Sequence, residues 1–552
     1  MEIDRNPKTY EGIPLVPGMM MALMEDSGVR ELIDRRCRPY DPSRRELTHG
    51  MAAKAIIGTM FEKGKTPLYC VENFYATAPC DLLFGEGVGN DSLSDTNLAS
   101  RIDIIHASDT VALIDEAYVL ITGKLGLERG YCQFIDATNY TMYGEKYVLR
   151  ELEYEDMLAE KGIYIREAPV PKYGGNAKDK RNDLVQLNIH TVTDSNGVLK
   201  YSRSYSGNVS DIEMNRDTVK HLISRTDVEE SIIIADSKLY TADLLKTMIS
   251  SGMLFITKVP LNFNGKLHER MERSVLLGGL DESNRKGRMV FDTAEDVEGS
   301  ECRVIAYALD SSRRDSEAFI RGKGLESMRK ALVSLKRRRF FCEDDALSAF
   351  REVIGGGFAD AYAASPEVYV DERLRKSTPD GPFFRVCAKD LRIDESKMGS
   401  AVNMHALQVL ITNIPFSKEH SEDIRRCGSA DDVIELYLEQ AKEEANFKMM
   451  KSGMAIGDVY IHTPARISAV AALVSLATMM SSAVNAKLRQ ERQKGERRMT
   501  VKRFRDLNVR GLLWYNRRKD TLSVTGGNGT AKMFFEYFDR LGIDPQMLLG
   551  HR

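Results

Sequence analysis

A chain of 552 residues is too long for one ordinary domain and implies about two to four, with room for a large buried core. Hydrophobic residues at 43% and charged residues at 29% mark a soluble globular protein, and a net charge of −3 excludes a global nucleic-acid signature, so any such signature is local. The eight cysteines form no C-x-x-C pair and have no histidine at zinc-ligand spacing, which points to a reduced, cytoplasmic chain.

The start, "MEIDRNPKTYEGIPLVPGMMMALM", is charged and interrupted by proline, unlike a signal peptide. Residues 1–128 are expected to be an all-helical N-terminal domain. "ELTHGMAAKAIIGTMFEKG" and "DTNLASRIDIIHASDTVALIDEAYVLITGKLG" both repeat apolar residues every three or four positions, with Ser94 or Asp95 as a cap.

The period then changes. "GYCQFIDATNYTMYGE" has strand composition, and "LVQLNIHTVTDSNGVLKYSRSYSGNVSD" reads as two strands joined by a turn at Ser195-Asn196-Gly197. A helix over "EMNRDTVKHLISR", a strand "SIIIADS", a helix from "TADLLKTMISSG" and a strand "MLFITKVP" follow, a mixed α/β order over residues 129–261. Residues 262–430 read as a β-rich insertion around a basic helix, "LESMRKALVSLKRRRFF". Long helices return over 431–485, and 486–552 form a basic C-terminal region. The apolar run "ISAVAALVSLATMMSSAV" carries four serines and a threonine, so a buried core helix is expected there rather than a membrane span.

Two acids interrupt apolar strands. Asp136 lies within "QFIDATNY", where an Asp gains nothing from packing, although it could serve only to accept hydrogen bonds from a neighbouring Thr or Asn. Asp236 in "IIIADSKLY" lies where a strand hands over to a turn, the place where ligands collect in open α/β sheets, although such acids also cap helices. Two carboxylates brought together repel unless a divalent cation neutralises them. A third acid is sought in "EQAKEEANFKMMKS". On a helix, Tyr437, Gln440, Glu444, Phe447, Lys448 and Lys451 form one stripe, and Glu443 lies about 100° round from Glu444. An exposed face with local ion pairs would look the same.

These residues resemble a DDE transposase of prokaryotic insertion sequences, in the group whose last catalytic helix carries a Tyr, Arg, Glu, Lys signature and whose catalytic domain is split by a β-rich insertion. Tyr437, Gln440, Glu444 and Lys451 fit the signature's spacing, with Gln440 standing where the group has arginine, a hydrogen-bonding group without the charge. "YCQFIDATNYTMYGE" and "IIIADSKLYTADLL" are similar to the two aspartate strands. "GGNAKDKRNDLVQLNI" resembles the segment after the first, and "YIHTPARISAVAALVSLATMM" the helix after the glutamate. The resemblance covers roughly residues 15–485.

What it implies is an RNase H-like mixed sheet with helices on both faces, in which Asp136, Asp236 and Glu444 hold two Mg²⁺ ions, Mn²⁺ being an accepted substitute. Tyr437, Gln440 and Lys451 are implied to grip DNA near the cleaved end, and Lys448 joins them from its place on the stripe. The implied partners are terminal inverted repeats and target DNA, bound by a homodimer on paired ends, in the cytoplasm at the nucleoid and without a membrane. The basic helix of the insertion and "AKLRQERQKGERRMTVKRFRDLNVRGLLWYNRRK" are suited to a phosphate backbone. A metal-dependent RNase H-like nuclease without strand transfer, or a non-catalytic DNA-binding derivative, are the alternatives. "TGGNGT" lacks the Gly-Lys-Ser/Thr ending of a phosphate loop, and His190, within a strand, is expected to be packed or hydrogen-bonded.

Overall fold

The computed structural model describes residues 11–37, 47–62, 66, 68–128, 130–142, 168–173, 183–225, 231–260, 266–283, 287–377, 381–416, 428–452, 463–507, 511–516, 521–525 and 529–549. Of the stretches singled out by sequence, 143–145, 174–182, 460–462, 508–510, 517–519 and the 526–528 half of "TGGNGT" are among those outside the described residues.

The chain opens with strand β1 (Glu11–Pro14), which runs directly into helix α1 (Leu15–Asp26). Helix α2 (Val29–Arg36) and helix α3 (His49–Met60) follow. α1 and α3 are apolar nearly all round, as suits helices enclosed by others, and Thr48 caps α3 by accepting the Met51 N–H at 3.1 Å. The periodic stretch from Asp95 forms two helices, α4 (Asp95–Ala107) and α5 (Thr110–Lys124), because Asp109 accepts the Ala112 N–H and starts a new one. The amino-terminal stretch thus carries a strand as well as its expected helices.

Strand β2 (Cys132–Met142) is followed by the hairpin of β3 (Val185–Asp194) and β4 (Leu199–Ser206), whose turn needs Gly197 at φ +77°. Then come α6 (Asp211–Arg225), β5 (Ile232–Ala235), α7 (Ala242–Ser250) and β6 (Leu254–Lys258). Strands and helices alternate through the next segment: β7 (Arg288–Val297), β8 (Ser300–Leu309), α8 (Asp310–Phe319), α9 (Leu325–Arg337), α10 (Glu343–Ile354), β9 (Tyr362–Val370), β10 (Phe384–Ile393), α11 (Glu395–Ala406) and β11 (Gln408–Thr412). The rest comprises α12 (Ala430–Leu438), α13 (Ala441–Ser452), α14 (Pro464–Gln490), α15 (Val501–Leu507), β12 (Leu512–Asn516), β13 (Thr521–Thr525) and α16 (Thr530–Leu541).

This mixed α/β chain divides into two compact units. The first comprises Met1–Leu244, Ser251–Met253 and Leu438–Arg552. In it β2 lies between β3, antiparallel, and β5, parallel, and β4 pairs with the far side of β3. β1 pairs with β12, and β12 with β13, so the two ends of the sequence share a small sheet. A single hydrophobic core joins Met20, Leu23, Ile57, Leu113, Leu187, Leu476, Phe534 and Leu548. Among the described residues α14 is the one helix long and apolar enough to cross a membrane, and its apolar window is wholly buried inside the protein.

The second unit comprises Leu245–Ser250 and Leu254–Tyr437. β6, β11, β8 and β7 pair in that order, all antiparallel. A separate core gathers α9, α10 and α11 against the β9–β10 hairpin. α9 buries Met328, Leu332 and Leu335, one face of the helix, and leaves Arg329, Lys330, Lys336 and Arg337 exposed.

Candidate active site

The site is built on the first unit's sheet. Along β2 the side chains of Phe134, Ile135 and Ala137 are buried, while Asp136 is half-buried. The parallel register of β2 and β5 ends with Ile135 paired to Ala235, so Asp136 is the next residue along β2 and Asp236 is the first residue beyond β5. The Asp136 carboxylate accepts the Ala137 N–H at 2.7 Å. That of Asp236 accepts the Lys238 N–H at 2.9 Å and so shapes the turn that ends β5. Asp236 is not the cap of α7; Thr241 accepts the Leu244 N–H there.

On the other side of β2, Thr191 of β3 is directly opposite Asp136 and shares its face of the sheet. Its hydroxyl approaches the Asp136 carbonyl at 3.4 Å and donates to Glu443 Oε1. α13 lies over this face: Asn446 donates to the Thr193 hydroxyl at 2.9 Å, and the Lys442 ammonium stands 5.9 Å from the centre of the Phe134 ring. The opposite face belongs to α6, where His190 meets Thr218 at 2.7 Å through Nδ1 and Asn215 at 2.9 Å through Nε2. Both ring nitrogens are therefore engaged in packing the sheet.

Of the two adjacent glutamates, Glu443 is fully buried at 0% exposure and Glu444 is exposed. The helical stripe inferred from spacing is interrupted: α12 ends at Leu438 and α13 begins at Ala441, with Lys442 N–H to Glu439 and Glu443 N–H to Gln440 closing tight turns between them. No Gly or Pro marks this break. Tyr437 falls in the second unit, where its proximity, after burial, helps push the Tyr307 phenol up. Gln440 occupies the turn, and Lys448 and Lys451 are exposed along α13. Thr191 was not legible as a site residue, since a Thr in a strand is ordinary.

The residues offer hard oxygen donors, the chemistry a divalent cation requires. Asp136 and Asp236 follow the last paired residues of β2 and β5, and Glu443 is bonded to Thr191 opposite Asp136, although no three His, Cys, Asp or Glu side chains converge at ligand distances among the described residues. Burial pushes the thiol of Cys132, at the start of β2, up to about 12.

Compared with known families, residues 129–480 match the one described as Transposase DDE domain, which is more than half of the chain. The chain belongs to the transposase DDE-domain family. Residues 14–119 match a second family, a domain of unknown function (DUF4277). No curated protein matches the sequence. Among solved structures the chain is similar to a piggyBac transposase synaptic complex with hairpin DNA, at 10% identity and a TM-score of 0.38, over 90% of this chain and 80% of that one. Transposase DDE domains generally use divalent metals, and Asp136, Asp236, Glu443 and Glu444 all lie within the matched residues.

Proposed function

We propose that this DDE-family chain is the transposase of an insertion sequence, which binds terminal inverted repeats and carries out phosphodiester hydrolysis and strand transfer. The observation that carries the reading is the pair of aspartates inside the matched residues, Asp136 and Asp236, each following the last paired residues of two neighbouring parallel strands. In this reading the first unit's sheet is RNase H-like, and Asp136, Asp236 and Glu444 hold two Mg²⁺ ions, with Mn²⁺ able to replace them. Such ions, when bound, activate an attacking water or 3′-hydroxyl and stabilise the departing oxygen. The carboxylates hold the cations, while Lys448 and Lys451 take phosphates as point charges. Tyr437 and Gln440 donate hydrogen bonds to DNA near the cleaved end. The amino-terminal helices read the repeats, and two copies act on paired ends.

A second reading gives the third carboxylate to Glu443. It is favoured by the bond from Thr191, which stands directly opposite Asp136.

The test uses the full chain with Mg²⁺, a labelled duplex carrying the repeats that flank its gene, and a target plasmid. Wild type is expected to yield both cleaved ends and joined product, and Asp136→Asn and Asp236→Asn neither, while all three bind the duplex. Cleavage with no joined product reduces the protein to a nuclease; binding with neither reduces it to a DNA-binding derivative.

A further inference from the structure

α13 has a second working side. Beside the β3–β4 turn it walls a cavity of about 660 Å³ in the first unit, completed by α14, α15 and the segment between them. That volume is within the range of about 300–1,000 Å³ common for ligand sites, and the lining, apolar over much of its area, is set apart by its cations. Six basic side chains contribute to it: Lys442, Lys448, Arg489, Arg498, Lys502 and Arg505. Among the described residues Glu439 is the one carboxylate in the lining, and it is engaged by Lys442 at 2.8 Å.

A protein of net charge −3 has thus concentrated cations in one concavity. Bringing like charges together is unfavourable unless an anion occupies the space between them. The strain is visible at Arg489, whose guanidinium is held below its ordinary value by burial and by the neighbouring Arg498 cation. Gly197 at the β3–β4 turn lines the cavity beside Lys442 and Arg489.

We infer that this cavity seats the phosphodiester backbone of a DNA strand, held without base recognition beside the helix that carries Glu443 and Glu444. The inference rests on the transposase reading for the identity of the polyanion. Arginine and lysine side chains supply charge and donors to phosphate oxygens, while the two amides of the lining are engaged by the protein itself, Asn446 donating to the Thr193 hydroxyl and Asn485 accepting the Val501 N–H. The basic run seen in the sequence supplies Arg489, Arg498, Lys502 and Arg505. Spacing could not show that Lys442 and Lys448 face the same space.

The experiment measures binding of the full chain to a fluorescent duplex across a salt series, comparing wild type with Arg498→Ala/Lys502→Ala, two exposed positions whose loss leaves the core intact. Wild type should bind, and the variant should bind at least tenfold more weakly with a salt slope shallower by about 2, since each phosphate contact contributes roughly 0.9. Equal affinity and slope for both proteins, with matching thermal melts, overturns the inference. So does displacement of the duplex by inorganic phosphate at matched phosphate concentration, which would mark a small-anion seat. Absence of any duplex binding by wild type overturns it as well. The outcome is separable from the activity assay: a wild type that neither cuts nor joins, but whose DNA affinity still falls in the variant, sinks the transposase reading and leaves the backbone seat standing.

Discussion

Glu443 and Glu444 are neighbours in sequence with opposite surroundings. A helix turns about 100° per residue, so at most one of two adjacent glutamates can face a given surface, and the sequence makes that inequivalence plain. Which one meets the sheet is a tertiary fact. Burying a carboxylate costs several kcal/mol unless hydrogen bonds replace its water, and Thr191 supplies one to Glu443. Glu444, exposed, keeps its solvation and remains open to a ligand. If Glu444 is the metal-holding acid, Glu444→Gln should reduce Mg²⁺-dependent cleavage by more than about 100-fold. Glu443→Gln should then fall within the roughly 10–100-fold loss typical of a group that only orients a ligand. Both variants should melt within a few degrees of wild type, because Gln keeps the volume and an oxygen for Thr191. Single-turnover cleavage of the labelled duplex decides between them. A larger loss for Glu443→Gln assigns the third carboxylate to the buried residue.

At the scale of elements, local chemistry carried most of the information. The β3–β4 hairpin follows its Asn-Gly turn, and β2, β5 and β6 sit where their apolar, β-branched runs are. The break between α12 and α13 was not legible, since no breaker residue is present and the tight turns at Glu439 and Gln440 depend on what each helix packs against. α14 shows composition and burial agreeing. Its serines are spent inside the core: Ser475 bonds the Ala471 carbonyl at 2.9 Å and the Ser202 hydroxyl at 2.8 Å, and Ser482 accepts the Leu199 N–H at 3.2 Å. A lipid-facing helix would tolerate leucine in place of Ser475. In this packed position Ser475→Leu adds volume and leaves the Ser202 hydroxyl without that partner, for an expected loss of about 1–3 kcal/mol or more. Leu476→Ala, at a position with no exposure, should cost about 2–5 kcal/mol. Urea unfolding of the two variants measures both, and a Ser475→Leu protein as stable as wild type would contradict the packing described.

For the whole molecule, the contacts that matter most join residues hundreds of positions apart, and no local pattern announces them. β1 pairs with β12, Glu11 opposite Tyr515, so the first described strand is completed by one near the other end of the chain. The buried Lys54 ammonium is held by Glu25 at 2.8 Å and by the carbonyls of Leu83 at 2.8 Å and Leu548 at 3.2 Å, and burial still pulls it below its ordinary value. Phe534 and Phe538, buried in α16, extend the same core. The basic character of residues 486–552 suggests an appendage, yet part of this region closes the amino-terminal core. Removing residues 508–552 deletes β12, β13, α16 and the Leu548 carbonyl. Each large apolar side chain lost from the core is worth about 1.5–3 kcal/mol, and several together rival the roughly 5–15 kcal/mol that stabilises a folded protein. In the truncated chain, amide hydrogen exchange of α1 and α3 should therefore lose its protection. The amides of α9 and the β9–β10 hairpin, which belong to the separate core of the second unit, should keep theirs. Protection of α1 and α3 at the level of the full chain would show instead that the amino-terminal helices fold without the carboxy-terminal segment.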